Sequence, residues 1–157
     1  MRIEGGELVG GDVRVPLRGT VADLAAAVGV EAHAPEIYSD HADLEPDAEL
    51  AVDPDAAALL LDWFARGDAA MRRFAPDQTP VLWPEHFDLG IALDEVNYGA
   101  SPGDAGHAAP YAYVGPWTPR QGAFWNAPFG ALRAADELPD ADAVAAFYAQ
   151  GRAAAAG

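Results

Sequence analysis

The sequence HFDLGIALDEV, residues 86–96, alternates between apolar side chains and polar or very small ones. This alternation has the period of a β-strand that is buried on one face. It predicts a strand with a core face of Phe87, Leu89, Ile91 and Leu93 and an opposite face of His86, Asp88, Gly90, Ala92 and Asp94. Because Gly90 and Ala92 fill little space, we expect a solvent-accessible trough on the second face, beside His86 and Asp88.

A second predicted strand carries aromatic side chains to the same trough. In residues 111–114, Ala112 and Val114 fit the core face, which leaves Tyr111 and Tyr113 on the other face. We therefore expect these two tyrosines to form the walls of the trough. Residues 130–135 predict a further strand, but their alanine-rich composition leaves its register open.

Ser101–Asp104 has the sequence Ser-Pro-Gly-Asp, which is typical of a type II turn. Such a turn needs positive φ at its third residue, here Gly103. We therefore expect Gly103→Ala to lower stability by about 1 kcal/mol or more.

Residues 1–79 predict a hairpin, a short helix, an acidic loop and a long helix. The hairpin spans residues 7–17, and a variant capping box at Thr20 and Asp23 begins the short helix. The acidic loop covers residues 31–53. Asp53-Pro54 is a typical helix start, and apolar residues then recur at helical spacing to about residue 75, with Gly67 indicating close packing or a kink.

The whole pattern predicts an α+β fold in one domain, residues 1–157. A mostly antiparallel sheet combines the N-terminal hairpin with three or four strands between about residues 80 and 135. Two longer helices, near residues 54–75 and 140–154, cover one face of the sheet, and the second helix frays after Gly151.

Composition excludes several classes of function. The chain has 25 acidic residues, nine arginines and no lysine, and its formal net charge is −16. Nucleic acids and membrane surfaces are therefore unsuitable partners. The absence of cysteine excludes disulfides and thiolate chemistry. Base composition of a GC-rich genome or adaptation to high salt would each explain the acidity. Without a secretory signal or a long apolar run, the sequence predicts a cytoplasmic protein.

Four motifs carry a resemblance to a known family. They are LWPEHFDL (residues 82–89), NYGASPGD (97–104), PYAYV (110–114) and FWNAPFGA (124–131). In order and spacing they resemble a family of uncharacterised bacterial proteins, most familiar from actinobacteria, and they are similar to the DUF5996 family. The likeness covers about residues 80–150. It implies no activity, cofactor or catalytic residue.

The predicted ligand-binding residues are His86, Asp88, Asp104, Tyr111, Tyr113 and Trp117. The first interpretation is a small-molecule pocket with His86 as its polar group. The second is a metal-dependent hydrolase with His86, Asp88 and Asp104 as ligands, or with Glu95 or His107 as the third. The third is a protein-interaction module with aromatic loops. A purely structural alternative has His86 donating to Asp104 or to a backbone carbonyl. Cofactor and oligomeric state stay unknown.

Other residues are weaker candidates. Trp83, Trp117 and Trp125 are potential stacking platforms, and Arg120 or Arg133 would suit a ligand carboxylate. His33 and His41, with Asp40 and Asp43, would at most hold a divalent cation loosely. Ser39 and Ser101 lack the context of a nucleophile. Glu85, Asp88, Glu95 and Asp104 are close enough in sequence for paired-carboxylate chemistry, although acids are too abundant for this to be informative.

Overall fold

The computed structural model describes residues 1–32 and 45–157, and it confirms the α+β fold. These residues form two compact units, Met1–Ala58 and Leu59–Gly157. The single domain predicted for the whole chain stays a prediction. Among the described helices, none combines the length and apolarity that crossing a membrane requires.

The first unit contains a three-stranded antiparallel sheet of β1 (Arg2–Glu4), β2 (Glu7–Gly10) and β3 (Val13–Pro16), followed by α1 (Val21–Ala27). The predicted capping box is confirmed, since Thr20 and Asp23 exchange backbone-to-side-chain hydrogen bonds of 3.0 and 3.2 Å. The N-terminal strands form their own sheet, so the prediction that they join the later strands was wrong.

Much of the predicted acidic loop lies outside the described residues. The candidates His33, Ser39, Asp40, His41 and Asp43 all fall there. Asp53, at the end of this loop, caps the long helix as predicted: its Oδ1 accepts the backbone N–H groups of Asp55 and Ala56 at 2.9 and 3.2 Å. The helix, α2, spans Pro54–Phe74, and from Leu59 onward it belongs to the second unit.

The second unit is built on a five-stranded antiparallel sheet whose strands follow one another in chain order. These are β4 (Val81–Trp83), β5 (Asp88–Leu93), β6 (Val96–Ser101), β7 (Tyr111–Pro116) and β8 (Ala131–Ala134). A 3₁₀ turn at Ala135–Glu137 leads to α3 (Ala141–Ala156), which is capped by Asp140.

The core lies between this sheet and its two helices. Trp63 of α2 donates its indole N–H to Ser101 O at 2.9 Å, and Tyr148 of α3 donates to Gly99 O at 3.0 Å. The close packing predicted at Gly67 is confirmed, because a Cβ there would lie 2.7 Å from the Cβ of Ala100. The core also contains Ile91, Tyr98, Ala112, Val114, Val144 and Phe147.

The predicted fraying of α3 after Gly151 was wrong, since the helix continues to Ala156. A Cβ on Gly151 would lie 2.7 Å from Val114 Cγ2, so this glycine lets the helix approach β7 closely. Contact with the sheet holds the last turns in place, although glycine alone would weaken them.

The strand predicted for residues 86–96 was wrong at both ends. It begins at Asp88 and ends at Leu93, because Phe87, Asp94 and Glu95 have positive φ values of 52°, 53° and 61°. Asp94 and Glu95 form a two-residue hairpin turn, and positive φ at both central residues is what a type I′ turn requires. The chain then returns as β6, a strand absent from the prediction. Asp94 leaves the predicted trough face and pairs with Arg152 of α3 at 2.7 Å.

Candidate functional site

A cavity of about 720 Å³ lies on the face of the five-stranded sheet that α2 and α3 do not cover. Strand alternation positions it: Ala112 and Val114 are buried in the core, so Tyr111 and Tyr113 project the other way, as predicted. All six predicted ligand-binding residues line the cavity: His86, Asp88, Asp104, Tyr111, Tyr113 and Trp117. The lining also includes Asn97, Ser101, Arg120 and Phe129.

Tyr113 reaches Asp88 by lying across the intervening strand. Gly99 is the cross-strand partner of Tyr113, and a Cβ on Gly99 would overlap the Tyr113 ring. A Cβ on Gly90, one strand further, would lie 3.2 Å from the Tyr113 hydroxyl. The ring thus fills the space that was predicted to be an open trough over Gly90, and its hydroxyl donates a hydrogen bond to Asp88 Oδ2. Glycine within a strand often marks such a close approach.

A second tyrosine–carboxylate pair joins β7 to the loop after β6. Tyr111 donates to Asp104 Oδ2, while Asp104 Oδ1 accepts the backbone N–H groups of Gly106 and His107 at 2.7 and 2.8 Å. These hydrogen bonds, that from Tyr111 foremost, lower the pKa of Asp104. Asp104 therefore holds its loop and the Tyr111 ring in one arrangement.

Both tyrosines keep their protons at neutral pH. Burial, reinforced by the hydrogen bond to Asp104, raises the pKa of Tyr111 to about 12. Burial and then the charge of Asp88 raise the pKa of Tyr113 well above its ordinary value. Each hydroxyl consequently acts as a hydrogen-bond donor, which is unsuited to a general base or a nucleophile.

The loop after β6 depends on the predicted conformation of Gly103. Its φ is +107°, which confirms the predicted positive value. The hydrogen bonding differs from a closed type II turn, because the N–H of Asp104 donates to His107 O at 2.9 Å instead of to Ser101 O. The Ser101 carbonyl accepts from Trp63, and its hydroxyl accepts the Gly103 N–H at 3.1 Å.

Trp117 and Phe129 reach the cavity from loops. The Trp117 indole N–H donates to Asn97 Oδ1 at 3.1 Å, and its backbone N–H donates to Glu95 O at 2.9 Å. Phe129 lies at the tip of a tight turn closed by two 3.0 Å hydrogen bonds between Ala127 and Gly130. Two aromatic side chains thus line the cavity from anchored backbone, although Trp117 is 64% exposed and Phe129 45%.

Unlike the two tyrosines, His86 is not held in place by a hydrogen bond within the described part of the chain. His86 is exposed in the turn before β5, and no side chain of the described residues bonds to it. The predicted hydrogen bond from His86 to Asp104 is absent, since the donors to Asp104 are Tyr111 and the backbone N–H groups of Gly106 and His107. Within residues 1–32 and 45–157, no three His, Asp or Glu side chains come together as a potential metal site. Glu95 lies outside this cavity, and the His107 ring packs edge-on against Tyr111 at 5.3 Å.

Some of the remaining candidate residues line the cavity and others do not. Trp125 packs edge-on against Phe124 at 4.9 Å beside the core, and Trp83 is half-exposed on β4 outside the cavity. Arg133 lies over the Phe147 ring at 5.9 Å, whereas Arg120 lines the cavity. Of the four clustered carboxylates, Asp88 and Asp104 reach the cavity, and Glu85 and Glu95 do not.

Sequence reasoning missed Asn97, Ser101 and Phe129 as lining residues. The first two lie on β6, whose existence depended on recognising the Asp94-Glu95 turn. Once β6 is recognised, side-chain alternation along the strand puts Asn97, Gly99 and Ser101 on the cavity face. Phe129 carried no comparable signal, because a loop position follows no periodicity.

No family model matches the chain, and no curated protein or solved structure matches it. The resemblance to the DUF5996 family stays a prediction.

Proposed function

We propose that this protein binds a small organic molecule in the cavity lined by His86, Asp88, Asp104, Tyr111, Tyr113 and Trp117. One observation carries the proposal: a single cavity of about 720 Å³ combines aromatic side chains with polar groups that are already fixed in place. Ligand pockets commonly have volumes of roughly 300–1,000 Å³ and this mixture of walls.

Preorganisation supports binding. Tyr113 lies in the space left free by Gly90 and Gly99 and is held there by its hydrogen bond to Asp88. Tyr111 is held by its hydrogen bond to Asp104. A ligand entering the cavity meets rings that have already lost their rotational freedom, so little further ordering is needed. The raised pKa values keep both tyrosine hydroxyls protonated, and each proton is already donated to a carboxylate, so the two tyrosines offer the ligand their rings instead of a general base.

The experiment is a thermal-shift screen of purified protein against a panel of small metabolites, with isothermal titration of the compounds that raise Tm. Each is then titrated into Trp117→Ala, which removes a cavity side chain. Trp83→Ala is the matched control. Trp83 is 49% exposed, comparable with Trp117 at 64%, but it lies outside the cavity.

We expect compounds that bind wild type and Trp83→Ala with similar affinity and Trp117→Ala at least tenfold more weakly. A panel that yields no binder contradicts the proposal. So does a set of binders whose affinities are unchanged in Trp117→Ala.

A further inference from the structure

Asp88 is a nearly buried carboxylate whose hydrogen-bonding capacity is largely unused. Asp88 is only 7% exposed, and it lines the cavity. Oδ2 accepts one hydrogen bond, from Tyr113, and Oδ1 has no partner among the described residues. A buried carboxylate normally has a cation or several N–H donors around it, because losing water is otherwise costly.

Within residues 1–32 and 45–157, no cationic side chain forms an ion pair with Asp88. Six of the nine arginines form ion pairs, and all of these pairs are with other carboxylates: Glu4, Glu7, Asp62, Asp68, Asp94 and Asp142. Arg133 lies over Phe147, and Arg120, although it lines the cavity, is exposed and forms no ion pair within the described part of the chain. Asp88, which lines the cavity, therefore has one oxygen available to a ligand.

Aromatic rings surround the same space. The rings of Tyr111, Tyr113 and Phe129 all line the cavity, and each ring centroid lies 6.3–6.4 Å from the other two. Trp117 adds a fourth ring. Ring faces attract ammonium groups through their quadrupoles, and cages of such rings recognise quaternary ammonium ions.

The charged side chains that line the cavity also favour a cation. Two carboxylates, Asp88 and Asp104, line the cavity against one guanidinium, that of Arg120. The net charge of −16 adds a long-range field that concentrates cations and repels anions.

Resting on the proposed function, we propose that the ligand is an organic cation, an ammonium group on an apolar or aromatic body, and that Asp88 binds its charge. Asp104 contributes less directly, because its two oxygens already accept three hydrogen bonds. The aromatic rings contact the apolar body and the methyl or methylene groups next to the nitrogen.

Three probes that share one ring but differ in charge test this inference. Benzyltrimethylammonium, benzyl alcohol and benzoate are titrated calorimetrically into wild type, Asp88→Asn and Asp77→Asn. Asparagine at position 88 removes the charge and keeps an oxygen that accepts from Tyr113. Asp77 is exposed and lies outside the cavity, so its variant makes the same charge change as a control.

We expect the cation to bind wild type and Asp77→Asn at least tenfold more tightly than the alcohol, with no binding of benzoate. Asp88→Asn reduces that preference to less than threefold. Added salt weakens binding of the cation and leaves that of the alcohol unchanged, and this comparison needs only wild type if Asp88→Asn fails to fold.

Equal or tighter binding of the alcohol or benzoate to wild type overturns the inference and leaves the proposed function intact. A preference for the cation that persists in folded Asp88→Asn overturns the assignment to Asp88. Failure of all three probes overturns the inference, and it reaches the proposed function only if the metabolite panel also yields no binder.

Discussion

The two faces of the five-stranded sheet carry out different tasks with the same strands. Toward α2 and α3, the sheet presents Ile91, Tyr98, Ala100, Ala112 and Val114, all buried among apolar side chains. The hydroxyl of Tyr148, packed against this face, bonds a backbone carbonyl. A cavity of about 120 Å³ lies beside Tyr98 and the last turns of α3, much smaller than the one on the opposite face, and the packing of the helix side supplies stability.

The opposite face is built from tyrosines paired with carboxylates. Tyr113 and Tyr111 donate to Asp88 and Asp104, and the rings border a cavity instead of a core. Since neighbouring residues of β7 project to opposite faces, changes to binding and to stability should be separable within one strand. The comparison therefore predicts which substitutions affect folding and which affect the cavity.

The largest effect is expected for Tyr148→Ala on the helix side. Tyr148 is fully buried, with the rings of Phe74 and Tyr98 each 5.8 Å away. Truncating a buried aromatic side chain costs about 3–5 kcal/mol of unfolding free energy. Phe129→Ala on the cavity face is the matched truncation, and we expect less than about 1 kcal/mol because Phe129 is 45% exposed. Urea denaturation measures both, and similar losses would erase the distinction between the faces.

Gly103→Ala should destabilise the protein by about 1–3 kcal/mol. The residue has φ of +107°, and a Cβ there would lie 2.5 Å from Ala108 O, so strain and overlap act together. Gly115→Ala is the control, since its Cβ would make an ordinary 3.5 Å contact with Phe129 O and its φ is not in the left-handed region. Thermal melts of the two variants compare them. An unchanged Tm for Gly103→Ala would show that the loop relaxes around the new side chain.

Asp88→Ala and His86→Ala should differ although both residues line the cavity. Removing Asp88 leaves the hydroxyl of Tyr113 without its acceptor, and such a loss costs about 1–3 kcal/mol. His86 is exposed and has no hydrogen-bond partner in the described structure, so its removal should change stability by no more than about 0.5 kcal/mol. Chemical denaturation gives both values. A large loss in both variants would mean that His86 has a structural role and would count against a binding role.

The smallest effect is a pH dependence at Asp104. Its pKa is lowered from 3.8, chiefly by the hydrogen bond from Tyr111, so folding is stabilised above pH 3.8 and that contribution is lost as pH falls through the lowered pKa. We expect Tyr111→Phe to remove part of it, so that the difference in stability from wild type shrinks below pH 3.8. Solvent screens the exposed Asp104, which keeps the effect small. A difference that is constant from pH 7 to pH 3 would contradict this.

The faces of the sheet were predictable because side-chain alternation is a local property. Leu89 and Ile91 identified the core side of β5, and Tyr111 and Tyr113 identified the cavity side of β7. Both assignments depend only on the two-residue period of a strand. The helix caps at Thr20 and Asp53 were predictable for a similar reason, since a cap is decided within three residues.

Features that depend on unusual backbone or on distant contacts were not predictable. The turn at Asp94 and Glu95 lacks the glycine or asparagine that usually signals positive φ, so the predicted strand ran through the turn and β6 was missed. The position of the Tyr113 ring depends on Gly90 and Gly99, which belong to two other strands. Their role becomes visible only when the register between strands is known.

The central claim is that the cavity face of the five-stranded sheet binds an organic cation. An NMR titration tests it most directly. ¹⁵N-labelled protein is titrated with benzyltrimethylammonium, and changes in backbone amide shifts are mapped onto the fold. We predict saturable changes clustered at Asp88, Tyr111, Tyr113 and Trp117, with α3 from Ala141 to Ala156 unaffected. Changes concentrated on α3, or no change up to millimolar probe, would contradict the claim.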